Sequence, residues 1–212
     1  MTAQLSFPRL LAPLRFYAVV PDAAWVERMV VAGAPTVQLR AKNLSGAALQ
    51  AEIARSVAAA HGTATQLFIN DHWQEAMAAG AYGVHLGQED MDTADLAALA
   101  KAGLRLGIST HSDDELARAL AVRPSYVACG AIFPTTTKNM PTAPQGLERL
   151  RRYVQAAGDT PTVAIGGIDL ANARAVLATG VSSLAVVRAV TEAENPTAVV
   201  QQFRALWDNE RA

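Results

Sequence analysis

The sequence predicts an α/β fold of the (β/α)8 TIM-barrel class in a single domain. Short apolar, β-branched runs alternate with longer alanine-rich stretches of helical period, and the pair repeats eight times. All of this fits within 212 residues, without a linker, low-complexity tract or charge block. Typical barrels run nearer ~250 residues, so the loops must be short. An open doubly wound sheet is the competing arrangement, but Pro21 and Asp22 stand where a GxGxxG turn would follow the first strand.

The elements follow in order. Phe16, Tyr17, Ala18, Val19 and Val20 form the first strand, and the apolar stretch 23–32 after it reads as a helix closed by Gly33. Strand 36–39 precedes the alanine-rich helix 46–61, closed by Gly62, and strand 66–69 precedes helix 73–79, closed by Gly80. Strand 83–86 leads to helix 93–102 and Gly103, and strand 105–108 to helix 113–121. The last three pairs are strand 126–129 with helix 147–157 and Gly158, strand 162–165 with helix 170–178 and Gly180, and strand 183–187 with helix 197–207. Glycine just past a helix suits a C' position because a left-handed backbone costs it little. The one connection long enough to act as a lid is 131–144. Residues 1–14 are an N-terminal extension that no motif assigns, and 15–212 the barrel.

A formal charge of -1, from 18 Lys plus Arg against 19 Asp plus Glu, argues against a nucleic-acid surface or an anionic-membrane surface. Any anion site is therefore local. Cys129 is the single cysteine and has no internal disulfide partner. Pro8, Arg9, Pro13 and Arg15 break every early apolar run, so a secretory segment or membrane span is not expected. The expectation is a soluble cytoplasmic protein, and a homo-oligomer is compatible with the sequence.

Barrel active sites lie at the C-terminal ends of the strands. After the second strand Gln38, Arg40 and Lys42 share one face of an extended chain, which aims two cations and an amide at the barrel mouth; reaching solvent above the rim is the bland alternative. The third and fourth strands end in Asn70-Asp71 and Glu89-Asp90, and neighbouring strands lie about 4.8 Å apart. Asp71 and Asp90 can thus converge on a hard cation such as Mg2+, water and phosphate completing its oxygen shell. Taken singly, Asp71 suits a helix N-cap and Asp90 the first turn of a helix. The four histidines show no metal spacing; His111 could touch a substrate, and Ser109 suits hydrogen bonding because no base-and-orienter arrangement marks it as a nucleophile.

Thr135, Thr136, Thr137 and Lys138 follow the sixth strand, a hydroxyl-rich run ending in a cation, which reads as a phosphate lid or as a solvated surface loop. Gly166 and Gly167 after the seventh strand and Arg188 after the eighth occupy the usual phosphate positions of such barrels, although glycines there can also simply turn the chain.

Together these residues resemble the thiamine phosphate synthase family. The resemblance runs from Phe16 to Thr191 and rests on Gln38-Leu39-Arg40-Ala41-Lys42, Ile69-Asn70-Asp71, Gly83 through Asp90, Gly107-Ile108-Ser109-Thr110-His111, Phe133 through Lys138 and Ile165-Gly166-Gly167-Ile168. It implies that Gln38, Arg40, Lys42, Asn70 and Lys138 hold an aminopyrimidine diphosphate, that Asp71 and Asp90 ligate its Mg2+, and that Ser109 stands near the pyrimidine. Thr135, Thr137, Gly167, Val187 and Arg188 match positions that bind a thiazole phosphate. Arg40, Lys42, Ser109 and Lys138 carry the implied catalysis, a dissociative transfer in which pyrophosphate departs before the thiazole nitrogen attacks. Three positions depart from the family pattern: Ala131 for a proline, His72 for an arginine and Arg188 for a serine. A thiazole tautomerase of the same family, and a catalytically silent barrel that binds a phosphorylated regulator, are the rival readings.

Overall fold

The computed structural model describes residues 5–136 and 143–211. Eight parallel strands close into a barrel in sequence order, β1 (Phe16–Val20), β2 (Thr36–Leu39), β3 (Gln66–Asn70), β4 (Gly83–Leu86), β5 (Arg105–Thr110), β6 (Tyr126–Gly130), β7 (Thr162–Ile165) and β8 (Ser183–Val186), with β8 pairing β1. The helices are α1 (Ala23–Val31), α2 (Gly46–Ala60), α3 (Trp73–Ala78), α4 (Asp90–Thr93), α5 (Leu96–Lys101), α6 (Asp113–Ala121), α7 (Gly146–Ala157), α8 (Ala173–Leu177), α9 (Arg188–Thr191) and α10 (Pro196–Arg204).

Strand alternation divides the apolar residues into two cores. Ala18, Val37, Ile69, Val84, Ile108 and Leu184 face the helices, whereas Tyr17, Val19, Phe68, Tyr126, Ala128, Val163 and Ala185 fill the barrel interior. Both faces of each strand are therefore buried, which accounts for the apolar β-branched runs. The six glycines expected after helices all have positive φ.

Helix 93–102 is instead two pieces. Asp95 accepts a hydrogen bond from Ala98 N at 2.9 Å and caps α5, while Ala94 is extended and ends the separate turn α4 after Thr93. Helix 170–178 shortens to α8 because the Asp169 carboxylate accepts from the amides of Ala171 and Asn172 and holds that stretch in a turn. The short α9 follows β8, and helix 197–207 becomes α10 continued by a 3-10 turn, Ala205–Arg211.

Residues 5–14 run across the N-terminal end of the barrel. Phe7 and Leu14 are buried there, Ser125 Oγ donates to Pro8 O at 2.7 Å, and Thr36 Oγ1 donates to Leu14 O at 2.9 Å. Gln66 Nε2 donates to Ala12 O at 3.1 Å. This segment seals one end, and the opposite end opens into a cavity. Among the described residues no helix is long and apolar enough to cross a membrane.

Candidate active site

The cavity at the C-terminal ends of the strands has a volume of about 930 Å³. Gln38, Arg40, Lys42, Asn70, Asp71, Asp90, Ser109, Thr135, Gly166, Gly167, Val187 and Arg188 all line it. Thr137 and Lys138 lie outside the described residues.

On one side of the mouth stands a charged cluster. Although β2 ends at Leu39, Arg40 and Lys42 continue on the cavity side while Ala41 packs into the outer core. Asp71 follows β3 in a left-handed backbone, φ 62°, a conformation more accessible to Asp and Asn than to most side chains. Its amide donates to His85 O at 2.9 Å, which ties the turn to β4. Asp90, the first residue of α4, accepts from Gly87 N at 3.1 Å. The two carboxyls lie within hydrogen-bonding reach: burial, followed by the charge of Asp90, raises the Asp71 pKa, while Lys42 and Asn70 oppose the rise. Arg40 feels partial burial, which lowers its pKa, offset by attraction to Asp71. A pair of carboxylates forced together in this way suits a hard divalent cation, which would relieve their repulsion. Among the described residues no cluster of three or more His, Cys, Asp or Glu side chains could hold a metal, so such an ion would take its remaining ligands from water and substrate oxygens.

The opposite side is formed by the loops after β6, β7 and β8. Ile132 N donates to Ile165 O and Phe133 N to Gly166 O, both at 3.0 Å. A Cβ on Gly166 would fall 2.5 Å from Ala131 Cβ, and one on Gly167 2.7 Å from Phe133 Cβ. These glycines therefore let the two loops meet, as well as leaving room at the cavity wall. Arg188 spans the same region: its Nε donates to both Glu192 carboxylate oxygens at 3.0 and 3.1 Å, and its Nη1 to Thr136 Oγ1 at 2.9 Å. His111, also on the wall, pairs through Nδ1 with Glu115 Oε2 at 2.9 Å.

The floor holds residues that the linear pattern did not single out. Gln38 Nε2 donates to the Tyr17 hydroxyl at 3.0 Å, the Tyr17 and Tyr126 hydroxyls lie 2.8 Å apart, and the Tyr126 hydroxyl is 2.7 Å from His85 Nδ1. His85 Nε2 is 2.8 Å from Ser109 Oγ. Burial raises the pKa of both tyrosines, so both hydroxyls stay protonated through the neutral range. The available signal was the pair of tyrosines at inward positions of β1 and β6, where a buried hydroxyl needs a partner.

A family profile described as thiamine monophosphate synthase matches residues 16–190. A thiamine-phosphate synthase from Neisseria meningitidis serogroup B is 74% identical over 204 residues, 96% of this chain and 100% of the relative. One from Klebsiella pneumoniae is 52% identical over 203 residues, 96% of each chain. The solved structure of a thiamine phosphate pyrophosphorylase from Pyrococcus furiosus superposes with a TM-score of 0.83 at 31% identity, covering 93% of this chain and 96% of that one. The chain belongs to the thiamine monophosphate synthase family and is a transferase with the (β/α)8 barrel of that family.

Proposed function

We propose that the chain joins 4-amino-2-methyl-5-hydroxymethylpyrimidine diphosphate to hydroxyethylthiazole phosphate, or its carboxylated form, to give thiamine phosphate and pyrophosphate. The observation that carries this reading is the two-sided cavity: paired carboxylates with Arg40 and Lys42 on one side, and glycine loops with Arg188 on the other. In this reading Arg40, Lys42 and Asn70 bind the diphosphate, with Lys138 joining them, and Asp71 and Asp90 hold Mg2+. The bound ion would supply positive charge against the negative charge that develops on departing pyrophosphate. Arg40 and Lys42 meet the same charge from fixed positions, where it is stabilised with little reorganisation.

The bond between the pyrimidine methylene and the diphosphate oxygen breaks first, and its electron pair leaves with pyrophosphate. The resulting cation is stabilised by the pyrimidine amino group, with Gln38 and Ser109 beside the ring. The thiazole nitrogen then donates its lone pair to form the new C–N bond. Thr135, Thr137, Gly166, Gly167, Val187 and Arg188 hold the thiazole phosphate in place for that attack, a positioning contribution that needs no protein nucleophile.

The His111–Glu115 pair on the cavity wall supports a second reading, a thiazole tautomerase, because a carboxylate-oriented imidazole is suited to proton transfer. Incubating the protein with both substrates and Mg2+ and following pyrophosphate decides between them. The transferase releases pyrophosphate stoichiometrically with thiamine phosphate; no release above background overturns the proposal.

A further inference from the structure

The floor of the cavity carries a run of hydrogen bonds from β2 to β5, and the hydrogens available to it fix its direction. A hydroxyl has one hydrogen to give. The Tyr17 hydroxyl has two partners among the described residues, the Gln38 amide nitrogen and the Tyr126 hydroxyl. The first is a donor, so the Tyr17 hydrogen goes to Tyr126. The Tyr126 hydrogen then goes to His85 Nδ1, which puts the imidazole hydrogen on Nε2, from which it donates to Ser109 Oγ. The opposite direction would strand the Tyr17 hydrogen without an acceptor in the fully buried barrel interior, a costly arrangement.

Two consequences reach the cavity. The Gln38 amide uses its nitrogen on Tyr17, so its oxygen remains to accept from a ligand. Ser109 receives from His85 at its oxygen, so its hydrogen remains to donate. Ser109 is held from behind as well, because Gln88 Nε2 donates to its backbone carbonyl at 2.7 Å.

We propose that Tyr17, Tyr126 and His85 are positioning residues that orient the Gln38 amide and the Ser109 hydroxyl, so that the site accepts an aminopyrimidine and rejects its oxo analogue. This inference rests on the pyrimidine transfer proposed above. An aminopyrimidine offers hydrogens on its exocyclic amine and lone pairs on its ring nitrogens, which complement an acceptor at Gln38 and a donor at Ser109. The oxo analogue offers a lone pair where the amine was and carries a hydrogen on a ring nitrogen. It therefore sets acceptor against acceptor, and a site built around buried hydrogen bonds discriminates strongly against such a mismatch.

Two measurements test this. The first needs no substrate and leaves the hydrogen-bonded run itself unaltered: 15N-detected histidine spectra of the metal-free protein, with the His85 signals assigned by replacing His61, His72 and His111 in turn. The Nε2–H tautomer is expected for neutral His85; the Nδ1–H tautomer overturns the inference. The second compares kcat/KM for the amino and oxo pyrimidine diphosphates. Wild type should prefer the amino compound by about a hundredfold or more, and Tyr126→Phe and Tyr17→Phe, with wild-type circular dichroism, should each lower that preference at least about tenfold. An equal loss on both substrates shows a packing role only and overturns the inference, as does an undiminished preference. Failure of wild type to release pyrophosphate from either compound instead overturns the functional reading, whatever the tautomer.

Discussion

Gly107 and Tyr126 fit together as a gap and its filling. The two are register neighbours on β5 and β6, and a Cβ on Gly107 would fall 2.1 Å from Cζ of the tyrosine ring. Gly107 is also the register partner of His85 on β4. The absent side chain thus lets Tyr126 reach across β5 and place its hydroxyl 2.7 Å from His85 Nδ1. Gly107→Ala should cost about 1–3 kcal/mol or more, because the ring is fully buried and has nowhere to go. Urea denaturation checks the loss, and adding Tyr126→Leu should recover part of the stability without recovering turnover.

Asp71 provides a pH-dependent test of the carboxylate pair. Its pKa is raised in the fold above the ordinary 3.8, so the folded chain holds this proton more tightly than the unfolded chain does. The stabilisation this gives is complete below pH 3.8 and is lost as pH rises through the folded value. Metal-free Asp71→Asn should therefore melt roughly 2 °C above wild type at neutral pH, and the gap should close towards pH 3.8. Asparagine also tolerates the left-handed backbone at this position. Adding Mg2+ should raise the melting temperature of wild type and leave the variant unmoved, while turnover of the variant falls at least about tenfold. Scanning calorimetry with and without the ion reads both effects.

Arg188 already has a carboxylate partner in Glu192, which a thiazole phosphate bound as proposed would share or displace. Glu192→Gln should lower the KM for the phosphorylated thiazole about two- to threefold, and Arg188→Ala should raise it about tenfold with little change in kcat. The pair is largely solvent-exposed, so both effects should shrink as salt is raised. Steady-state kinetics at two ionic strengths is the check.

Ser125 tests the sealed end of the barrel. Its hydroxyl accepts from Leu106 N at 3.0 Å and donates to Pro8 O at 2.7 Å, tying the N-terminal segment to β5. Ser125→Ala leaves both groups without this partner and should destabilise by about 1–3 kcal/mol. Turnover at 25 °C should be unchanged, because the cavity lies at the other end of the strands. Thermal melts and an activity assay on the same preparation measure the two quantities.

The sequence by itself determined the barrel and residues on both sides of its cavity. The strands were legible because burial on both sides demands apolar, β-branched runs, and strand ends such as Arg40, Lys42, Asp71 and Asp90 stand out because charge follows such runs abruptly. The break at Asp95 was hidden, since helical period continues through it and only the capping bond to Ala98 N shows that the helix restarts. Residues 5–14 have no period to read; their place follows from backbone carbonyls that meet side chains at the starts of distant strands. Tertiary structure alone decided the floor of the cavity. Tyr17 and Tyr126 are 109 positions apart, and nothing local marks them as partners. Closing the barrel brings their inward-facing hydroxyls together, and burial away from water then requires each polar group to find its partner within the protein.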